Sequence, residues 1–279
     1  MCSSAMSTIV EFKNVSKAFG RQEILRKVNL TVNEGETKVI LGGSGQGKST
    51  VLKLILGLEK PDEGEIFING VDITPLSEEE MVDVRKQIGM VFQESSLFDS
   101  LTVFDNIAYR LIEDANMSQE EILKTSERFL RLVDLEPDDL GKLPEQLSGG
   151  MKRRVAIARA LGGEHNIMLY DEPTAGLDPI TASHITALII RLRDLEKLTS
   201  LVVTQDIFSS YQMMTFCAHQ GPKGIEVKLN PGHTCTSKTN MIVLKEGRII
   251  AHGSLQTLLK SEDPYVQEFL AGIKMLATA

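Results

Sequence analysis

Long hydrophobic runs are missing from this sequence of 279 residues. No stretch approaches the roughly 18 consecutive apolar residues that a helix needs to cross a bilayer, and the first six residues lack the basic and apolar regions of a signal peptide. Cysteine is scarce, since Cys2, Cys217 and Cys235 are too few and too unevenly spaced for a disulfide framework. We therefore expect a cytoplasmic protein in a reducing compartment.

An excess of basic residues is missing as well. The 30 Lys and Arg residues are outnumbered by 38 Asp and Glu residues, which gives a formal net charge of −8. A dedicated nucleic-acid-binding protein needs clustered positive charge to neutralise phosphates, so we expect no nucleic-acid partner. The length of the chain and its hydrophobic content of 42% are instead sufficient for a substantial buried core.

The hydrophobic patterns indicate an α/β nucleotide-binding fold. Up to residue 70, short runs alternate apolar and polar side chains as β-strands do, and Asn69-Gly70 predicts a tight hairpin turn. Helical spacing begins near residue 93, and Ser118 and Glu121 form a predicted capping box. Strand-like runs return at 167–170 and 201–203 with a predicted helix between them, as in a parallel sheet.

These patterns predict one domain over residues 1–279. Its core covers about 7–92 and 164–258 and is interrupted by an α-helical subdomain over about 93–163. An inserted loop follows at about 219–240, and a tail helix at about 263–276.

A phosphate-binding loop is the clearest chemical motif in the chain. It comprises Gly42, Gly43, Ser44, Gly45, Gln46, Gly47, Lys48 and Ser49, with Thr50 next. The motif lies between a predicted strand and a predicted helix, as it must to bind nucleotide. Backbone N–H groups and the helix N-terminus would surround the phosphates of ATP. Lys48 would contact the β- and γ-phosphates, and the Ser49 hydroxyl would ligate Mg²⁺.

Two carboxylates, Asp171 and Glu172, follow a predicted buried strand. They would emerge at the carboxyl end of the sheet, where open α/β sheets bind their ligands. We expect Asp171 to hold Mg²⁺, directly or through water, and Glu172 to orient and deprotonate the attacking water.

Four further segments give the sequence a specific family resemblance. Leu147-Ser148-Gly149-Gly150-Met151 resembles the signature motif of the ABC ATPases, Gln93 resembles their Q-loop, and Ala175-Gly176-Leu177-Asp178 resembles their D-loop. Phe19 falls where the family places an aromatic ring against adenine. For Ser148 the alternative is a simple helix cap, and for Phe19 it is a core aromatic.

The resemblance covers nearly the whole chain and implies a P-loop NTPase of the ABC nucleotide-binding-domain type, with a RecA-like core, a β-rich N-terminal part and an inserted α-helical subdomain. It implies catalytic roles for Lys48, Gln93 and Glu172, with Gln93 also near Mg²⁺. Ser148, Gly149, Gly150 and Asp178 would contact the nucleotide. Because each motif occurs once, two copies of the chain would pair head to tail, so that Ser148 of one subunit meets the γ-phosphate held by the other.

Within the family, residues 94–103, 178–181 and the tail resemble the ATPases of Mla and Mce lipid-transport systems. The resemblance implies a peripheral protein on the inner face of the cell membrane, bound to integral permease subunits. A small regulatory subunit and an MCE-domain lipid-binding protein are further expected partners. Val266, Phe269, Leu270 and Ile273 share one helical face. We expect this stripe to dock on a partner, with packing on the chain's own core as the alternative.

The sequence departs from the family in two places. Gln205 stands where the family has a histidine that contacts the γ-phosphate, and glutamine carries no positive charge; we therefore expect a slow ATPase. The second departure is the inserted loop at 219–240, where the family usually has a brief connection. Together, Cys217, His219, His233 and Cys235 in and beside this loop offer two sulfur and two nitrogen ligands for zinc, although a flexible loop explains the composition equally well.

Two other functions remain open from the sequence. An ATP-gated binding module with little turnover is motivated by Gln205. A non-transport ABC ATPase would usually carry two cassettes in one chain or long coiled-coil insertions, and neither is visible here.

Overall fold

The computed structural model describes residues 7–113, 117–163, 166–221, 224–229 and 239–277. The strands are β1 (Thr8–Phe19), β2 (Gln22–Asn33), β3 (Thr37–Leu41), β4 (Glu63–Ile68), β5 (Val71–Asp72), β6 (Ile88–Val91), β7 (Ile167–Asp171), β8 (Thr199–Thr204), β9 (Phe216–Gly221), β10 (Gly224–Leu229), β11 (Thr239–Lys245) and β12 (Arg248–Gly253). The α-helices are α1 (Lys48–Ile55), α2 (Glu78–Lys86), α3 (Val103–Ile112), α4 (Gln119–Leu132), α5 (Gly149–Ala160), α6 (Pro179–Leu195), α7 (Ile207–Thr215), α8 (Leu255–Leu259) and α9 (Pro264–Ala277). In this part of the chain no helix is long and apolar enough to span a bilayer.

The central sheet has six strands in the order β12-β11-β3-β8-β7-β6. All neighbours are parallel except β11 and β12, which form an antiparallel hairpin at the edge. Every residue of β3 and β8 is buried, as expected for parallel strands covered on both faces. The predicted parallel sheet is therefore confirmed, and its strands carry their carboxyl ends to one edge.

A second, antiparallel sheet has the order β2-β1-β4-β5. Asn69 and Gly70 both have positive φ, 50° and 79°, which is the conformation of the predicted two-residue hairpin turn. Helix α1 buries Val51, Leu52 and Ile55 in one cluster that contains side chains of both sheets. This packing fixes the helix that begins at the phosphate loop.

Helices α3, α4 and α5 lie within the range predicted to be helical. The expected capping box at Ser118 and Glu121 is present, and Thr102 and Asp105 form another at the start of α3. Val155, Ala156, Ile157 and Ala158 of α5 are fully buried in the main core. Helix α5 therefore joins this helical layer to the central sheet.

The segment predicted as a loop over 219–240 is partly a β-hairpin, which corrects that prediction. Strands β9 and β10 pair antiparallel, with Cys217 opposite Lys228 and Gly221 opposite Gly224. The signal in the sequence is Gly221-Pro222-Lys223-Gly224, because turn residues between two alternating runs are typical of a hairpin. Residues 222–223 and 230–238 lie outside the described part.

The apolar stripe of the tail helix packs on the chain's own core, so the expectation that it docks on a partner is wrong. Val266 and Leu270 are fully buried, and Tyr265 and Phe269 pack against the same cluster. Their neighbours there include Met213 and Met214 of α7. The side chain of Ile273 lies outside the described part. A periodic stripe predicts that a surface covers it, but not which surface.

Candidate active site

The phosphate loop connects β3 to α1, as the sequence predicts. Lys48 is buried, and its Nζ donates to the carbonyl oxygens of Gly42 and Gly43 at 3.0 and 3.1 Å. The same ammonium lies 3.2 Å from Glu172 Oε1. The structure thus brings the predicted phosphate-binding lysine and the predicted catalytic glutamate into contact.

Two glycines of the loop have no room for a side chain. A Cβ on Gly42 would lie 2.6 Å from the carbonyl oxygen of Leu244, and one on Gly47 would lie 2.9 Å from that of Ile24. Gly47 also has a φ of 96°, which favours glycine. Both positions are therefore set by close backbone contact as well as by the need to curl around phosphate.

Late segments of the chain support the loop from outside. The backbone N–H of Gly43 donates to Tyr265 Oη at 3.3 Å, and the N–H of Glu246 donates to Gln46 Oε1. Tyr265 itself contacts Phe269 and lies beneath Lys245, whose Nζ is 4.5 Å from the ring centroid. These supports could not be predicted from the sequence, because Tyr265 follows Gly43 by 222 residues and no local pattern links them.

Ser49 and Asp171 meet at the end of β7. Ser49 Oγ donates to Asp171 Oδ1 at 2.9 Å. Burial raises the pKa of the Asp171 carboxyl, and the hydrogen bond from Ser49 opposes that shift. A hydroxyl and a carboxylate at this distance are oxygen donors that Mg²⁺ prefers, so the described side chains fit the predicted metal site.

Glu172 is buried beside the end of β8. Its backbone has a φ of 45°, and its Oε2 accepts a hydrogen bond from the backbone N–H of Gln205 at 3.1 Å. The side chain of Gln205 is exposed. The carboxylate is therefore held at one oxygen by Lys48 and at the other by the backbone N–H of Gln205, directly after β8.

Asp206 is a further residue of this edge to which the sequence analysis gave no role. It caps α7 by accepting from the N–H groups of Phe208 and Ser209. Its other oxygen accepts from Thr174 Oγ1 at 2.9 Å. Thr174 lies two residues after Glu172. Asp206 therefore links the segment that follows Glu172 to the start of α7 by hydrogen bonds.

The remaining predicted nucleotide contacts lie at exposed positions. Phe19 ends β1 with 44% of its surface exposed, so the core-aromatic alternative is wrong. Gln93 is exposed two residues after β6, beside the edge that carries Asp171. Both are accessible to a ligand, and their contacts with nucleotide stay predictions.

The signature segment and the D-loop lie against each other. Ser148 caps α5 by accepting from the N–H of Met151, and Asp178 caps α6. A Cβ on Gly150 would lie 2.6 Å from Thr181 Cγ2, so glycine allows this close approach. Ser148 is both a helix cap and an exposed hydroxyl, which leaves it available to a second subunit.

The predicted zinc ligands are only partly described. His233 and Cys235 lie outside the described residues, His219 is exposed, and Cys217 is buried and disulfide-bonded. That disulfide departs from the expected reduced state, and a disulfide sulfur is not the thiolate that binds zinc. Among the described residues no group of three or more metal-ligating side chains occurs. The zinc site stays a prediction for the reduced chain.

The sequence is similar to known transport ATPases over most of its length. The family model described as ABC transporter matches residues 25–175. The chain is 35% identical over 270 residues to the intermembrane phospholipid transport system ATP-binding protein MlaF of Escherichia coli strain K12, with 96% of this chain and 91% of that protein covered. It is 36% identical over 274 residues to the chloroplastic protein TRIGALACTOSYLDIACYLGLYCEROL 3 of Arabidopsis thaliana, with coverage of 95% and 74%. It is 34% identical over 267 residues to the probable ribonucleotide transport ATP-binding protein mkl of Mycobacterium leprae, with coverage of 96% and 70%.

Solved structures agree with these relatives. The dimeric ATP-binding cassette MJ0796, in a post-hydrolysis state with ADP and Pi, is 35% identical with a TM-score of 0.73, covering 88% of this chain and 99% of that one. CbiO1 of Clostridium perfringens, part of an ABC transporter complex, is 27% identical with a TM-score of 0.75, covering 98% and 99%. The chain therefore belongs to the ABC transporter ATP-binding family and is an ABC-type ATPase with ATP and Mg²⁺ as its cofactors.

Proposed function

We propose that this chain hydrolyses ATP to drive phospholipid transport in an Mla- or Mce-type system of the bacterial envelope. The observation that carries the proposal is the similarity to MlaF, which is named for intermembrane phospholipid transport and which this chain matches over 91% of its length. The site supports the energetic part of the proposal, because Lys48, Ser49, Asp171 and Glu172 lie together at one sheet edge.

In this proposal two copies of the chain pair head to tail and bind integral permease subunits at the inner face of the membrane. The exposed Ser148 at the start of α5 supports a contact with nucleotide on the second subunit, and the similar cassette MJ0796 is dimeric. A regulatory subunit and an MCE-domain protein complete the proposed assembly. The permease would press on the exposed ring of Phe98, in the segment after Gln93.

The geometry supports a mechanism in which nucleotide replaces internal contacts. Without nucleotide, Lys48 bonds to Glu172 and to two loop carbonyls. A bound γ-phosphate would replace Glu172 as the anionic partner of Lys48. Glu172 would then be free to accept a proton from the attacking water. Ser49 and Asp171 would hold Mg²⁺, which would supply positive charge to offset that of the phosphates. The N–H of Gln205 would keep the carboxylate oriented.

Reconstitution of the chain with its permease in vesicles tests the substrate. We expect ATP-dependent transfer of a fluorescent phospholipid between labelled and unlabelled vesicles, and its loss in Glu172→Gln. A ribonucleotide loaded as an alternative substrate should not move, and this distinguishes the proposal from the activity named for mkl. Phospholipid transfer that is equal with and without ATP would contradict the proposed function.

A second candidate function is an ATP-gated binding module with little turnover. It is favoured by one observation, the uncharged and exposed Gln205 side chain next to the glutamate. In the leading proposal Gln205 slows hydrolysis without stopping it, because the phosphate-binding and acid–base groups remain.

Gln205→His separates these two functions. A histidine can donate a charged hydrogen bond to the γ-phosphate. A positioned catalytic group typically contributes about 10²- to 10⁴-fold, and glutamine recovers part of this by orienting water, so we expect kcat to rise by about 10-fold or more. Phosphate release measured at saturating Mg²⁺ and ATP checks this. Gln220→His, the same change at an exposed residue of β9, is the control. Unchanged turnover in Gln205→His would show that Gln205 does not limit the rate, and no turnover in the native chain would favour the binding module.

A further inference from the structure

Two arginines of α5 hold the segment that contains Gln93. Arg153 Nη1 donates to the carbonyl oxygen of Phe92 at 2.7 Å. Arg159 donates to the carbonyls of Ser96 and Ser95 at 2.7 and 3.0 Å. Three of the carbonyls between residues 92 and 96 are thus bonded to one helix, and Gln93 lies between the two arginines' attachment points.

Arg153 also reaches the D-loop. Its Nη2 donates to the carbonyl oxygen of Ala175 through a longer bond of 3.4 Å. Ala175 immediately precedes Gly176, and Asp178 of the same loop caps α6. The Arg153 side chain therefore connects α5, the helix that follows the signature motif, with the segment that contains Gln93 and with the D-loop. Both segments are predicted to contact nucleotide.

Within the described residues, neither guanidinium group has an acidic partner. Burial alone lowers the pKa of Arg153 and of Arg159, and Arg153 Nε is buried without a hydrogen-bond partner within the described residues. Desolvating a cation is costly unless its bonds compensate. Arg193 shows the usual solution: like Arg153 it is buried, with 1% of its surface exposed against 4%, but it pairs with Asp194 at 2.8 Å. We therefore explain the buried Arg153 by the hydrogen bonds that it donates to Phe92 and Ala175, and not by packing.

The backbone that Arg159 holds is strained. Ser95 and Ser96 have φ values of 64° and 45°. Residues other than glycine rarely adopt such φ values unless the surrounding structure imposes them. Arg159 bonds to both of their carbonyls, and its Cζ lies 5.6 Å from the ring centroid of Phe98. Phe98 is exposed and contacts Tyr109. A partner that displaces the Phe98 ring would therefore move Arg159 and the strained backbone of Ser95 and Ser96, close to Gln93.

We propose that Arg153 and Arg159 are positioning residues that fix the Gln93 segment, and through Arg153 the D-loop, to the signature helix. The three segments then move as one unit when a partner displaces Phe98 or when nucleotide engages Ser148. This inference rests on the proposed role of Gln93 at the nucleotide. It predicts that the arginines set kcat and leave the affinity for ATP almost unchanged, since neither contacts the phosphate loop.

Arg153→Met and Arg159→Met test the proposal in the full-length chain. Methionine replaces the aliphatic stem without the donors. Because the partners of the two arginines are backbone carbonyls, the change leaves no unpaired charge behind. We expect kcat to fall about 10- to 100-fold, as misplacement of a catalytic group by about 1 Å does, with KM for ATP within about twofold of native. Arg153→Lys, which keeps the charge but lacks the fork that reaches two carbonyls, should recover part of kcat.

Arg193→Met is the matched control. It removes a buried arginine of the same domain that bonds to Asp194, Thr239 and backbone carbonyls away from the nucleotide loops. We expect it to lower Tm but to leave kcat of the folded protein unchanged when assayed well below that Tm. If Arg153→Met and Arg159→Met behave like this control, or keep native kcat, the arginines are structural and the proposal is overturned.

Hydrogen exchange gives a readout that does not depend on catalysis. Loss of either arginine should speed amide exchange in a peptide covering residues 92–97 by about fivefold for each hydrogen bond removed, since one hydrogen bond stabilises by roughly that factor. Arg153 makes one such bond to the peptide and Arg159 makes two. Native protection in that peptide in both variants would overturn the proposal. Gln93→Ala separates it from the proposed function: unchanged turnover there would remove the role of Gln93, while the exchange result would still decide whether the arginines hold the segment.

Discussion

Glu172→Gln is expected to abolish steady-state ATP hydrolysis, with kcat lower by about 10²- to 10⁴-fold, the usual contribution of a positioned general base. The amide has nearly the shape of the carboxylate, but its single oxygen can accept from only one of two donors, Lys48 and the N–H of Gln205. It also cannot accept the proton of water. ATP binding should persist. Phosphate release measures the loss, and a fluorescent ATP analogue measures the retained affinity.

The same variant should accumulate the ATP-bound homodimer, because hydrolysis no longer separates the subunits. Light scattering during size-exclusion chromatography of the purified full-length chain, with Mg²⁺ and ATP and then with Mg²⁺ and ADP, reports this state as a change from monomer to dimer mass. Glu36→Gln is the matched control: Glu36 is also buried and paired with a lysine, Lys38, but it lies before β3, at the opposite end of that strand from the phosphate loop. Turnover in Glu172→Gln equal to that of the control would rule out Glu172 as the base.

Lys48→Met is expected to weaken ATP binding by about 10- to 100-fold, because a hydrogen bond from a charged donor typically contributes about 1.5–3 kcal/mol. The ammonium is buried at the loop and already occupies an anion-binding position beside Glu172. Titration with a fluorescent ATP analogue gives the affinity. Lys53→Met, an exposed lysine later on α1, provides the control and should bind ATP as the native chain does. Native affinity in Lys48→Met would show that this lysine does not contact the phosphates.

Features written in contiguous residues could be predicted from the sequence. The turn at Asn69-Gly70 depends on two adjacent residues that both accept positive φ, and the capping box at Ser118 depends on residues three apart. The position of Glu172 at the ligand-binding edge of the sheet also followed, because parallel strands bring their carboxyl ends to one edge. In each case the physical rule acts over a short distance along the chain or through a regular sheet.

Features that depend on which surfaces meet could not be predicted. Arg153 bonds to a carbonyl 61 residues earlier, and a basic residue in a helix gives no indication of such a partner. The stripe on α9 is the same pattern whether it covers α7 or another protein. The hairpin of β9 and β10 was missed for a different reason: its short runs resemble loop composition, and only the turn between them signals strands.

The supports of the phosphate loop also have a consequence for synthesis on the ribosome. The loop is translated early, but the residues that hold it from outside, Glu246 and Tyr265, follow their partners by 200 and 222 residues. Strand β11, which lies beside β3 and approaches Gly42 through Leu244, is also made late. A nascent chain therefore carries the complete phosphate-binding motif long before it can complete the supports of the loop, and we expect tight ATP binding only in a chain whose synthesis has passed Tyr265.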